Sequence, residues 1–325
     1  MAVAMVPALS ANILFALAAA ASWGGGDFSG GMGVKAAGGS TAGALRVVLV
    51  AHTSSLAVLL GILMVERASL PRGAPLVWGV IAGVTAGISL TAFYIALARG
   101  AMGGSAALSG LLAAAIPAAV SSVLEGVPGL LRLAGFALAL GAIWLIAAGP
   151  SPESEHAIDG SEPSESSRAT LVLALIGGVG FGIYFVALRL ANPLGELEPM
   201  ALARAASLVT CALLLVVVTV RSKRAAVTEP ATKLTRMAVV WALGVALLDT
   251  GGNLLYIAAT RTGRLDIAAV LASLYPAGTI LLAAWHLHER PTRRQLAGMA
   301  IAAAAVVMIT VSLIFAPNST GFRSR

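Results

Sequence analysis

Two acidic residues stand in apolar surroundings where a charge needs a reason. Asp27 lies in GGGDFSGGMG, residues 24–33, a segment with six Gly in ten. Asp249 lies in LGVALLDTGGNLLYIAATR, where Asp249, Asn253 and Tyr256 are spaced i, i+4, i+7 and so share one helix face. A carboxylate in mid-membrane costs about 2.5–3.5 kcal/mol on insertion scales, so it faces a cavity, water or a partner. Either acid could contact a substrate or carry a coupling proton. For Asp27 a second reading stays open, a cap at the end of the first helix near the headgroups. For the Asp249 face the alternative is an interhelical hydrogen-bond network.

Further side chains fall within or beside these faces. Trp23, Tyr94, Tyr184, Tyr256 and Tyr275 could line a solute cavity, since an aromatic ring offers apolar area with a polar tip. Each of them could equally pack, or sit at a membrane interface. His52, followed by Thr53 and Ser54, interrupts an apolar run and could relay protons beside a carboxylate, or be a hydrogen-bonded structural residue. Arg46 and Arg204, a few residues inside their spans, are expected to snorkel outward. The single cysteine, Cys211, reads as a packing residue. His286 and His288 in WHLHERP face different sides of a helix and make no metal pair. With no HExxH, CxxC, P-loop or dinucleotide GxGxxG spacing, neither a metal, a cofactor, ATP coupling nor a hydrolytic site is expected.

The elements that carry these residues are long and apolar. Of 325 residues, 58% are hydrophobic and 11% charged, with a mean hydropathy of +0.93. Soluble domains carry about 25% charged residues. About ten apolar runs, each long enough to cross a bilayer as a helix, centre on residues 8–30, 43–64, 75–98, 103–124, 130–148, 169–190, 199–220, 236–259, 265–287 and 294–315. The glycines of 24–33 predict a weak or broken first helix, because each costs about 1 kcal/mol relative to Ala. The net charge of +7 is dispersed among helix ends, the largest group being Arg221, Lys223, Arg224, Lys233 and Arg236. It suggests interfacial anchoring, not nucleic-acid binding. The first run has no preceding Lys or Arg and reads as a retained helix, not a signal peptide.

The chain also repeats itself. Tyr94, Pro117, Glu125 and Gly135 recur as Tyr256, Pro276, Glu289 and Gly298, each about 160 residues later. Arg46 recurs as Arg204, and by position WGGGDFSGG answers VGFGIYFVAL. Residues 150–168 form a polar linker with five acids against one Arg, expected to be mobile. The expected organisation is a first five-helix repeat over 1–149, the linker at 150–168, a second five-helix repeat over 169–316 and a short basic tail at 317–325. An odd number of helices per repeat makes the repeats inverted, the plan of many secondary transporters. Glu125 and Glu289 read as helix-end residues. The Asn318-Ser319-Thr320 sequon lies in the tail.

The second copy, residues 247–309, resembles the EamA family of the drug/metabolite transporter superfamily. It has a small-residue helix ending in YIAATRTG, then LASLYP, an ERP turn and a QLAG helix. The first copy carries WGGGDFSGG, YIALARG and LAGFALALGAIWLI but departs at Glu125-Gly126-Val127-Pro128, where the Arg after Glu is missing. The resemblance implies an all-α integral membrane protein of ten helices in two inverted repeats, a central cavity and alternating access. It also implies cytoplasmic termini in a prokaryotic plasma membrane. Loop Lys and Arg, eleven on one side and eight on the other, lean toward the opposite orientation.

The expected partners are the lipid bilayer, a small-molecule substrate and protons as coupling ion. The expected activity is export of a small organic metabolite or toxic compound. A lipid or lipid-linked-sugar flippase is the alternative. A membrane enzyme or sensor is a weaker reading, since no nucleophile, acid–base pair or soluble domain is visible.

Overall fold

The computed structural model describes residues 2–67, 72–99, 102–124, 126–147, 165–195, 197–224, 234–288 and 292–314. The described residues form helices throughout, in the order α1 (Ala2–Ala36), α2 (Thr41–Glu66), α3 (Ala74–Arg99), α4 (Met102–Leu124), α5 (Leu130–Ala147), α6 (Glu165–Ala191), α7 (Leu197–Arg224), α8 (Arg236–Thr262), α9 (Leu265–Ala272), α10 (Tyr275–His286) and α11 (Arg293–Ile314). α9 and α10 are two pieces of one span, so the count is ten spans in two sets of five. Seven helical segments among the described residues are both long and apolar enough to cross a bilayer, and Leu130–Leu145 is a shorter apolar helix. Glu125, Glu289, most of the acidic linker and the tail with its sequon lie outside the described residues.

Local chemistry sets several helix ends. Ser40 Oγ accepts from the Gly43 amide at 3.0 Å to start α2. Thr235 does the same for Ala238 at 3.1 Å to start α8. Before α11, the Thr292 amide donates to Gln295 Oε1 at 2.8 Å and the Gln295 amide to Thr292 Oγ1 at 3.2 Å. This reciprocal pair satisfies two helix-start donors that bare lipid or protein would leave stranded.

The packing obeys an approximate twofold relation. α1 packs on α8 as α6 packs on α3, and α1 packs on α9 and α10 as α6 packs on α4. α2 meets α7, and α5 meets α11, across the axis. This pairing pattern is the one expected of the inverted repeats that the odd helix count requires.

Two expectations are corrected. The first helix is continuous through its six glycines to Ala36. Those glycines are contact points where other parts of the bundle come close. A Cβ on Gly24 would stand 2.9 Å from the Gly278 backbone, and one on Gly30 would overlap the Tyr94 ring. Close packing of neighbouring helices outweighs the propensity cost. The break falls instead in the second repeat. The expected continuous span 265–287 is interrupted at Ser273 and Leu274, and Pro276 occupies the first turn of α10, where its missing N–H costs nothing. Pro117, its partner in the first repeat, lies within an unbroken α4.

Candidate functional site

α1, α3, α6 and α8 form a ring, and the start of α10 leans on α1 beside it. Between them lies a cavity lined by Trp23 and Asp27 from α1, Ala86 and Leu90 from α3, and Phe181, Tyr184 and Phe185 from α6. Asp249 and Asn253 from α8 and Tyr275 from α10 complete it. Its empty volume of about 370 Å³ includes space open to the outside, and its clear centre is about the size of one water molecule. The cavity is therefore narrow at its centre but not sealed.

Asp27 and Asp249 both face this cavity and lie within electrostatic reach of each other. Asp27 is 7% exposed, and α1 continues past it to Ala36, so it does not cap a helix end. The two acids differ in partners. Asp249 accepts a charge-assisted hydrogen bond from Arg204 Nη2, which also donates to Thr250 Oγ1 at 3.0 Å. Asp27 makes no hydrogen bond or ion pair with the described residues.

Arg204 overturns its expectation. It does not snorkel, because it is 1% exposed and holds Asp249 from α7. Nη1 reaches His52 Nε2 at 2.6 Å, and His52 Nδ1 reaches Ser207 Oγ at 2.8 Å. A guanidinium can only donate, so Nε2 is the acceptor and Nδ1 carries the proton donated to Ser207. His52 thus stands behind the site, in a network that fixes Arg204, and not in the cavity wall.

The aromatic residues separate into two layers. Trp23 stacks on Phe185 with ring centroids 4.8 Å apart and planes 10° from parallel, and Tyr275 meets Trp23 edge-on at 6.4 Å. With Tyr184 and Phe181 these rings form the wall. Tyr256 and Tyr94 lie one layer out, fully buried. Tyr256 packs on Trp23 and Phe185, while Tyr94 fills the notch left by Gly30. Of the nine residues proposed from sequence, Trp23, Asp27, Tyr184, Asp249, Asn253 and Tyr275 line the cavity, and His52, Tyr94 and Tyr256 support it. Sequence reasoning missed Ala86, Leu90, Phe181 and Phe185, whose apolar side chains look like any membrane packing. It also missed the role of Arg204. There the signal existed, a cation inside a span beside a span that carries an acid.

The bundle and its central cavity define a multi-pass integral membrane protein of a transporter-like class. Residues 168–311 match the model of the EamA-like transporter family, of the drug/metabolite transporter superfamily, and this match supports a membrane transporter of that general type. A solved protein crystal structure has the same fold over nearly the whole molecule, with a TM-score of 0.68, 18% identity, and 93% of this chain and 97% of that chain covered. No curated protein matches the sequence.

Proposed function

We propose that this protein is a secondary active transporter that exports a small organic metabolite or toxic compound by alternating access, driven by the proton gradient. The observation that carries the reading is Asp27, a buried carboxylate without a protein partner, facing a cavity at the junction of two inverted repeats. A cavity narrowed at its centre between the halves suits alternating access. Reciprocal packing of α1 on α8 and α6 on α3 gives two equivalent surfaces on which the halves can rock. The flippase reading draws less support, because the lining comes from five helices of both repeats.

The test is reconstitution in vesicles loaded with pooled metabolites and given a pH gradient. Efflux of at least one solute should depend on the protein and on the gradient. Asp27→Asn should abolish gradient-driven efflux. No protein-dependent flux with either sense of gradient would refute the proposal.

A further inference from the structure

The chemistry of the lining narrows the substrate class. We infer that the cavity, when it widens in the transport cycle, takes a protonated amine that carries N–H donors and an apolar or aromatic body. This inference rests on the transport reading above and concerns the same cavity. The lining contains two acids and no Lys, Arg or His. Arg204 pairs with Asp249 from behind, which leaves Asp27 as the one acid of the wall without a basic partner. A cation finds its counter-charge in the ionised Asp27 carboxylate, and an anion would meet like charge there.

The neutral polar groups add to this preference. Asn253 Nδ2 donates to the Asp249 carbonyl at 2.7 Å, which turns Oδ1 toward acceptance, and Oδ1 is buried without a partner. Tyr275 Oη is also buried without a partner and belongs to the same wall. Asn253 Oδ1 can only accept, so left unpaired it favours a ligand that brings a donor, while the Tyr275 hydroxyl can donate or accept. An ammonium with N–H groups can serve Asp27 and Asn253 together, and a quaternary ammonium can serve neither by hydrogen bonding. Trp23, Phe185 and Tyr275 supply an aromatic and apolar wall for the body of such a ligand. A zwitterionic amino acid fits less well, since its carboxylate finds no cation in the lining.

Binding can be measured on the purified full chain in detergent, by thermal shift and calorimetry, with four probes that share one aromatic body. These are phenethylamine, its N-trimethyl derivative, phenylalanine and 3-phenylpropionate. Phenethylamine should bind, and about tenfold or more tighter than the other three, the ratio a lost charge-assisted hydrogen bond gives. Asp27→Asn should weaken phenethylamine by a similar factor, Asp27→Glu should keep binding, and Asn253→Leu should narrow the gap between the primary and quaternary amines. If phenethylamine fails to bind the native protein, or phenylpropionate or phenylalanine binds as well, or Asp27→Asn leaves affinity unchanged, the inference is wrong. Binding needs no transport, so the two readings fail separately. Protein-dependent efflux of other solutes without amine binding would sink the amine site alone. Amine binding without any vesicle flux would sink the transport reading and leave the site.

Discussion

Arg204 on α7 and Asp249 on α8 are joined by a direct ion pair whose side chains are only 2% and 11% exposed. Removing one member of a buried pair strands the other charge, at a cost of about 3–5 kcal/mol, whereas replacing both with packed apolar groups is often nearly neutral. Arg204→Met and Asp249→Leu should each lower the apparent melting temperature in detergent sharply. The double variant should be far more stable than the sum of the two losses predicts. Additive losses would show that the two charges do not depend on each other.

His52 holds Arg204 by offering an acceptor at Nε2, 2.6 Å from Nη1. Glutamine can offer a carbonyl oxygen in nearly the same place, and phenylalanine cannot. His52→Phe should cost about 1.5–3 kcal/mol, as for a lost hydrogen bond to a charged group, and His52→Gln distinctly less. Unfolding of the two variants side by side checks this. Equal losses would mean that ring packing, not acceptance, is what His52 contributes.

The glycines divide by what lies opposite them. A Cβ on Gly24 meets the Gly278 backbone and the Tyr275 carbonyl, both at 2.9 Å, and one on Gly83 runs into the Ala203 carbonyl. Backbone cannot swing aside, so Gly24→Ala and Gly83→Ala should force α1 from α10 and α3 from α7, with loss of folded protein. A Cβ on Gly61 meets nothing within 4 Å. Gly61→Ala should therefore be neutral or stabilising by up to about 1 kcal/mol, the helix-propensity difference. Yield of monodisperse protein and melting temperature separate the two groups.

These glycines also mark where sequence reading ran out. Helix spans were legible because lipid demands long apolar runs, and the repeat was legible because Tyr94, Pro117 and Gly135 recur as Tyr256, Pro276 and Gly298. Asp27 and Asp249 were legible because charge is rare there. The continuity of α1 was not, since a propensity scale records what Gly costs an isolated helix and not what a close neighbour returns. The Arg204–Asp249 contact links side chains 45 positions apart, with no helical periodicity to announce it. Phe181 and Phe185 became cavity walls only once α6 was placed against α3, a packing fact that one apolar sequence does not contain.

A second ion pair, within the second repeat, positions a hydrogen bond to the first repeat near one end of the bundle. Asp266, fully buried in the first turn of α9, accepts from Arg264 Nη2 at 2.9 Å and from Arg264 Nε at 3.1 and 3.2 Å. It also accepts from the Ile267 amide at 2.8 Å. Arg264 Nη2 in turn donates to the Gly126 carbonyl at 2.8 Å, in the loop between α4 and α5. The second repeat's half-helix is thereby tied to the first repeat's loop. Gly263 and Ser273 flank α9, so its ends have little else in sequence to hold them. Asp266→Asn removes the charge that orients Arg264 and the anion that suits a helix start. Amides of residues 265–272 should then exchange with deuterium about tenfold or more faster, as local opening becomes easier, while those of α6 keep their native rates. Unchanged exchange in α9 would show that packing alone fixes it. Equal acceleration in α6 would show that the variant loosens the whole bundle and not this junction.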